Sequence, residues 1–271
     1  MARWHEIAHE LRAAIAGGEV APGDVLPRET DLQERYRTSR TTVRQAVAAL
    51  EKEGLVEKVR RRGTVVRRPP TRRRIPRSRR VHRDAIGYYF DTAAQGWRPL
   101  EPPAVGRAPA PADVARALDL APAAEVVTRS RVMGDPDSGD VTQLATSYLA
   151  PTAVDALPVL AEPDTGPGGI YDRMEDAGYG PLRWEEAVSA RMPSPDEARR
   201  LGLPPGVPVL RITRITRGAD GRALEVNDTR VSAERFEVVN EIDRDPTAAP
   251  ENPEAPSGAP VRPAGGARAD R

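Results

Sequence analysis

The chain of 271 residues contains no cysteine. That excludes a thiol catalyst, a disulfide framework, a cysteine-ligated zinc finger and a direct thiol redox sensor. Aromatic residues make up only 4% of the sequence, so the core must rest on Val, Leu, Ile and Ala. No uninterrupted apolar run of about 18 residues occurs, nor an N-terminal apolar segment of signal-peptide type, and the expected location is the cytoplasm. Histidine is nearly absent, with three in the chain. Two of them form His5-Glu6-Ile7-Ala8-His9, an H-E-x-x-H match of the kind that binds zinc from one helix face. A third protein ligand is missing, because His82 is the only other histidine and lies in a basic linker, while Ile7 belongs to a helical core. The expectation is therefore two histidines on a solvated face, with no metal and no cofactor.

Charge is present in both signs but unevenly placed. Residues 1 to 83 hold 21 Lys+Arg against 10 Asp+Glu, an excess of 11 positive charges in a chain whose formal net charge is +1. The rest is acidic by 10. A basic head on an acidic body implies that the head alone meets nucleic acid. Almost all the positive charges are arginine, a bias that genome composition alone could produce.

The stretch from Leu26 to Leu55 reads as two short helices joined by a sharp corner. Leu32 and Tyr36 lie four apart in the first, and Val43, Val47 and Leu50 follow a helical period in the second. Ser39 is placed to accept the free amides at the start of the second helix, and Gly54 to end it. Arg40, Thr41, Arg44 and Gln45 crowd the N-terminal, exposed part of that helix. These are the side chains that read base edges and phosphates. An earlier helix over Arg3 to Ala16, with Trp4, Ile7, Leu11 and Ile15 on one face, completes a three-helix core. After it, Leu55-Val56 and Thr64-Val65-Val66 read as strands of a hairpin tipped by Arg60, Arg61, Arg62 and Gly63. At such a tip, beside a recognition helix, arginines suit phosphate or minor-groove contact.

Taken together, residues 17 to 66, with the SRTTVRQA core, the EGL break and the glycine of the hairpin in order, closely resemble the winged helix-turn-helix of the GntR transcription regulators. The resemblance implies that Arg40 and Arg44 contact bases and that Gly63 is the wing-tip residue. It implies a DNA-binding set of Arg28, Thr38, Ser39, Arg40, Thr41, Thr42, Arg44, Gln45, Arg61, Arg62 and Gly63. Where that family usually has Ser after Leu-Pro, and often Arg two positions on, this chain has Arg28 and Thr30.

Residues 69 to 84 carry prolines and many arginines with no apolar period, and read as an extended basic linker that either solubilises or adds salt-sensitive DNA affinity. Beyond it the chain repeats itself: residues 111 to 132 align with 194 to 215, pairing Leu118 with Leu201, Val126 with Val209 and Arg131 with Arg214. Each copy reads helix, turn, strand, followed by a further strand near 142 to 149 or 223 to 231. Strands near 183 to 191 and 236 to 242, and a helix over 170 to 177, complete a largely antiparallel sheet with helices packed on it. Phrases such as TRSRVM, LATSYLAP, GGIYDRMEDAGY and LEVNDTRVSAERFEVV resemble the UTRA domain of the HutC subfamily, a small-molecule sensor with the fold of chorismate lyase. That resemblance implies a homodimer and a ligand that alters DNA binding. It points to Arg129, Arg131, Gly169, Ile170, Tyr171 and Glu225 as effector-binding residues. Arg129 and Arg131, two apart on a strand, share one face, where they suit an anionic group. The same arginines could instead pair with Asp or Glu across the sheet. Family members often have Glu where Ala145 stands, and Tyr near Val231.

The expected fold class is α+β: residues 1–68 a winged helix-turn-helix of three helices plus a β-wing, 69–84 a basic linker, 85–244 a UTRA-like, chorismate-lyase-like effector domain, and 245–271 a disordered tail. The expected function is a sequence-specific transcription regulator, a repressor, that binds an inverted-repeat operator in double-stranded DNA and responds to a small, anionic effector. Two alternatives are a non-specific architectural DNA binder and a lyase-like enzyme. Against the enzyme, residues 85 to 243 contain neither His nor Cys, and a shared fold does not confer chemistry.

Overall fold

The computed structural model describes residues 2–77, 81–83, 88–89 and 97–242; the tail expected from 245 lies outside them. The head comprises α1 (Arg3–Ala16), α2 (Glu29–Tyr36), α3 (Arg40–Lys52), β1 (Val56–Val59) and β2 (Gly63–Val66). Next come β3 (Arg73–Arg77), β4 (His82–Arg83), β5 (Tyr88–Tyr89), β6 (Arg98–Pro99) and β7 (Ala104–Pro109). The remainder is α4 (Ala112–Ala117), β8 (Glu125–Gly134), β9 (Val141–Leu149), α5 (Pro151–Ala156), α6 (Gly169–Asp176), β10 (Arg183–Arg191), α7 (Pro195–Arg200), β11 (Val209–Arg217), β12 (Ala223–Ser232) and β13 (Phe236–Asn240). Elements expected from periodicity at 142–149, 223–231, 183–191, 236–242 and 170–177 agree with these bounds to within two residues.

In the head, Ile7, Leu11, Leu32, Tyr36, Val43, Val47 and Leu50 form one buried cluster, so the three apolar stripes meet as their spacing requires. Trp4 and Ile15, half-buried, pack on its edge. The corner between α2 and α3 turns on Arg37, whose φ of 47° closes α2, and on Ser39, whose hydroxyl accepts the Thr42 amide at 3.2 Å. At the start of α2 no serine is needed: the Asp31 carboxylate accepts the Arg28 backbone amide at 3.2 Å. The wing pairs Val56 with Val66 through Val59 with Gly63, and Val25 bridges Val65 on its other edge.

The segment expected to be an extended linker is in part a strand. β3 runs parallel to β13, from Arg73 beside Phe236 to Arg77 beside Asn240, and buries Ile75 against Trp97, Val231 and Phe236. A lone isoleucine among arginines has no period to read, and its partners come from the far end of the chain. Residues 78–80 and 84 of that segment lie outside the described residues.

The main sheet runs β10-β11-β12-β9-β8, with β7 and β6 both on the outer edge of β8, and every pairing is antiparallel. The sequence repeat is visible in it, and longer than the sequence suggested. β7-α4-β8-β9 and β10-α7-β11-β12 are two copies of one unit, joined where β9 meets β12, so the strand order reads alike from both edges. Leu201 and Leu203, which follow α7, pack on Val132 and Leu144 of the first copy. On this helix-covered face lies an ionic cluster: Arg211 with Asp113 at 2.6 Å and Asp228 at 2.8 Å, and Glu197 with Arg191 at 2.7 Å and Arg230 at 3.6 Å.

The Arg191 guanidinium, helped by the Ser194 amide, holds the Glu197 carboxyl at about 2 against the opposing effect of burial. A depressed folded-state pKa stabilises above the unfolded value, and that contribution is lost as pH falls through the folded one. Urea unfolding of wild type and Glu197→Gln at stepped pH tests this. Between pH about 4.5 and 2, wild type is expected to lose on the order of 2 kcal/mol more than the variant.

Candidate DNA interface and effector-binding face

Arg40, Thr41, Arg44 and Gln45 all stand exposed on the first turns of α3, and Thr38, Ser39 and Thr42 lie at its start. Arg40 and Arg44 converge on one carboxylate, with Nε to Glu29 Oε2 distances of 2.8 and 3.1 Å. The Arg40 hydrogen bond is the main cause that holds the Glu29 pKa below its usual range. Glu29 therefore orients both arginines side by side. It is absent from the sequence-based set, because a first-turn acid on α2 looks like ordinary helix-end chemistry. Arg28 is exposed at that same helix start. Arg61, at φ 66°, and Gly63, at φ 102°, form the exposed wing tip, while Arg62 reaches back to the Gly23 carbonyl at 3.4 Å.

The opposite face of the sheet from the ionic cluster carries a polar row. Pairing registers set Arg129, Ser147, Asn227, Arg214 and Glu186 side by side on adjacent strands. Flanking rows contribute Glu225 and Thr216 on one side, Arg131 and Thr229 on the other. Ser147, Asn227, Thr229, Arg214 and Glu225 are all buried. Most of their polar groups are matched: Arg131 donates to Ser147 Oγ at 3.0 Å, Asn227 Nδ2 to the same oxygen at 3.0 Å, Thr229 to Asn227 Oδ1 at 2.8 Å, and Arg214 to Glu186 at 2.7 Å. At the α6 end, Tyr171 and Thr216 hydroxyls both donate to Glu225 Oε2 at 2.7 Å. Burial and then the Glu225 charge push the Tyr171 pKa above its ordinary range. Glu225 Oε1 is buried without a hydrogen-bond partner.

Of the effector residues expected from sequence, Arg131, Glu225 and Tyr171 meet on or against this face, with Gly169 and Ile170 opening α6. Arg129 shares the face but does not present a free fork. Its Nη1 donates to the Leu160 carbonyl at 3.1 Å and to Glu162 O, and its Nη2 to Pro163 O at 3.0 Å. Burial, and then neighbouring Arg131, lower its pKa. Neither of the two outcomes considered from sequence, an anionic ligand or a carboxylate across the sheet, includes backbone carbonyls. Ser147, Asn227, Thr229 and Arg214 share this face and are not in the set expected from sequence. Their signal in the sequence is polar residues at alternate positions of the expected strands, as at Asn227 and Thr229.

Among the described residues, head and body meet around Arg67. Arg67, directly after β2, donates from Nη2 to both Glu234 carboxylate oxygens at 2.7 and 2.9 Å and from Nη1 to the Gly54 carbonyl at 2.8 Å. Gly54 ends the recognition helix, at φ +74°, and Gly206 of the body, at φ +79°, comes so close that a Cβ there would lie 2.6 Å from the Gly54 nitrogen and the Lys52 oxygen. On the other side of this junction, β3 extends to Arg77, which pairs with Glu186 of the polar row at 3.2 Å.

A recognition helix with paired arginines, a wing, and a second domain with a buried polar face define a DNA-binding transcription regulator with its own ligand-binding domain. Comparison with known proteins agrees. Residues 4–66 match the family model "Bacterial regulatory proteins, gntR family", and residues 104–237 match that of the UTRA domain. An uncharacterized HTH-type transcriptional regulator of Streptomyces coelicolor is 36% identical over 234 residues, covering 82% of this chain and 86% of that protein. The HTH-type transcriptional repressor NagR of Bacillus subtilis is 26% identical over 249 residues, covering 89% and 95%. A solved structure of a GntR-family transcriptional regulator, 29% identical, superimposes with a TM-score of 0.64 over 90% of this chain and 98% of the other. The chain belongs to the GntR family, in the architecture that joins a GntR head to a UTRA effector domain.

The close backbone approach at Gly206 yields a prediction. Gly206→Ala adds a Cβ where none fits and at a φ that alanine disfavours, so the head should lose its seat. Trypsin cleavage between residues 68 and 77, followed by mass spectrometry, is expected to be about tenfold faster in the variant than in wild type.

Proposed function

We propose that this protein is a dimeric repressor that reads an inverted-repeat operator and releases it when a small polar molecule binds the sheet face bearing Arg131. The reading of DNA rests on one observation: Arg40 and Arg44 are exposed at the start of α3, aligned by the shared Glu29 carboxylate. Two neighbouring guanidinium groups at that position suit guanine edges in the major groove. The wing arginines supply phosphate or minor-groove contact. A two-fold dimer makes the operator a palindrome. Repression is supported by the Bacillus subtilis relative, which is a transcriptional repressor.

For the effector, Arg129 is committed to backbone carbonyls, which leaves the half-exposed Arg131 of the flanking row as the cation for a ligand. The ligand class that fits combines an acidic group for Arg131 with hydroxyl or amine donors for neighbouring oxygens. Ligand groups that compete for Glu186 would loosen Arg77 and with it β3, the strand that leads back to Arg67 and the end of the recognition helix. A ligand shifts that equilibrium only by its differential affinity for the two arrangements.

Selection of binding sites from random duplex DNA by the full chain at physiological salt tests the first part, with enrichment of a short inverted repeat as the expected result. Arg44→Ala should cost about 1–3 kcal/mol on the enriched site and relax preference at one position per arm. Unchanged specificity would remove α3 as the reading surface. Once the operator is known, small acids and polyols are screened for release of the protein from it. Arg131→Ala should abolish release while leaving DNA affinity unchanged; release that survives the substitution would move the effector site elsewhere.

A further inference from the structure

The two edges of the main sheet are unlike. β7 is six residues long, contains Pro109 and follows Pro102 and Pro103, devices that keep an edge from pairing. β10 is nine residues long, pairs with β11 in unbroken register and has no proline within it. Eight of its residues are exposed, and Trp184 alone is half-buried. Val188 is 47% exposed and Met192, just beyond the strand, 58%; both are among the few large apolar side chains left open in the described residues. A long, regular, partly apolar edge is a template for another strand.

From this edge we infer that β10 is the dimer surface of the effector domain, pairing antiparallel with β10 of a second copy about a two-fold axis at Val188. The inference rests on the dimer proposed above. Charge selects the register among those in which the two sheets keep their faces aligned. An axis at Ala187 sets Arg183 opposite Arg191 twice, which repels. Axes at Glu186 or Ser189 set no opposite charges against each other. An axis at Val188 sets Glu185 opposite Arg191 of the second copy, and Arg191 opposite its Glu185, so the interface holds two symmetric ion pairs. The same register faces Val188 with Val188 and Trp184 with Met192, which closes the apolar side chains against each other. Arg191 already holds Glu197 of its own chain at 2.7 Å, so it is fixed in place before the second carboxylate arrives. Glu186, the end of the polar row, then lies two positions from the axis. The two effector faces would adjoin across one continuous sheet.

Sedimentation velocity of the full chain at micromolar concentration provides the test. Wild type is expected to be a dimer. Glu185→Arg and Arg191→Glu each put like charges at both pair positions, so each alone should weaken dimerisation by about tenfold or more. Mixed one to one, they restore both ion pairs and should dimerise again, a rescue that no folding defect produces. Val188→Lys, at a side chain already open to solvent, should dissociate the dimer without altering the circular dichroism of the monomer. A monomeric wild type would overturn the dimer reading and the surface together. If wild type is a dimer but the three variants dimerise as well as it does, or if the mixture of charge variants stays monomeric, the β10 pairing is wrong and the dimer forms elsewhere.

Discussion

The buried ion pair between Arg67 and Glu234 is the contact on which the arrangement of this molecule turns. Both side chains are largely withdrawn from water, at 8% and 17% exposure. A guanidinium in such a place is tolerated only with its carboxylate, since removing one partner of a buried pair typically costs about 3–5 kcal/mol. The pair also carries a carbonyl that would otherwise be spent on solvent, that of Gly54 at the end of the recognition helix. One side chain thereby ties together the last turn of α3, the exit from the wing and the turn between β12 and β13. The head is held where the polypeptide leaves it, and β3 continues from that point into the body.

The body solves a second electrostatic problem. A sheet made of two copies of one unit has two faces, and in this chain neither is wholly apolar at its centre. One face pairs arginines with Asp113, Asp228 and Glu197, and the other buries Ser147, Asn227, Thr229 and Arg214. Buried polar groups cost little when each has a partner and much when one lacks it. The row on the second face is mutually matched along most of its length. Arg214 and Glu186 occupy the end nearest β3, so the residues that line this face and those that anchor the head belong to one connected set. Connection of this kind permits coupling, because a change at Glu186 alters a partner of Arg77.

Much of this was legible in the amino-acid sequence. Apolar spacing located all three helices of the head, since each has one face to bury and the period of that face is set by helix geometry alone. Alternation located the long strands of the body for the same reason, and similarity between residues 111 to 132 and 194 to 215 revealed the duplication. The exposed placement of Arg40 and Arg44 at the start of α3 was legible because their surroundings are local: a helix start, a corner of fixed length and a wing nearby. What the sequence determined by itself, then, is every feature whose cause lies within a turn or two of helix or a few strand residues.

Tertiary structure decided the choice of partner. Ile75 becomes a strand residue because Val231 and Phe236 offer it a cover, and nothing in a basic, proline-containing segment reports that. Arg129 shares a strand face with Arg131 as its spacing demanded, yet its guanidinium goes to the carbonyls of Leu160, Glu162 and Pro163, in the connection between α5 and α6. Glu29 serves two arginines 11 and 15 residues away. Glu225 shares Tyr171 and Thr216, and Arg67 finds Glu234 across the length of the chain. A charged or polar side chain has many chemically equivalent partners in a sequence of this composition. Only the packing of apolar surfaces, which brings particular strands and loops within hydrogen-bond reach, selects one of them.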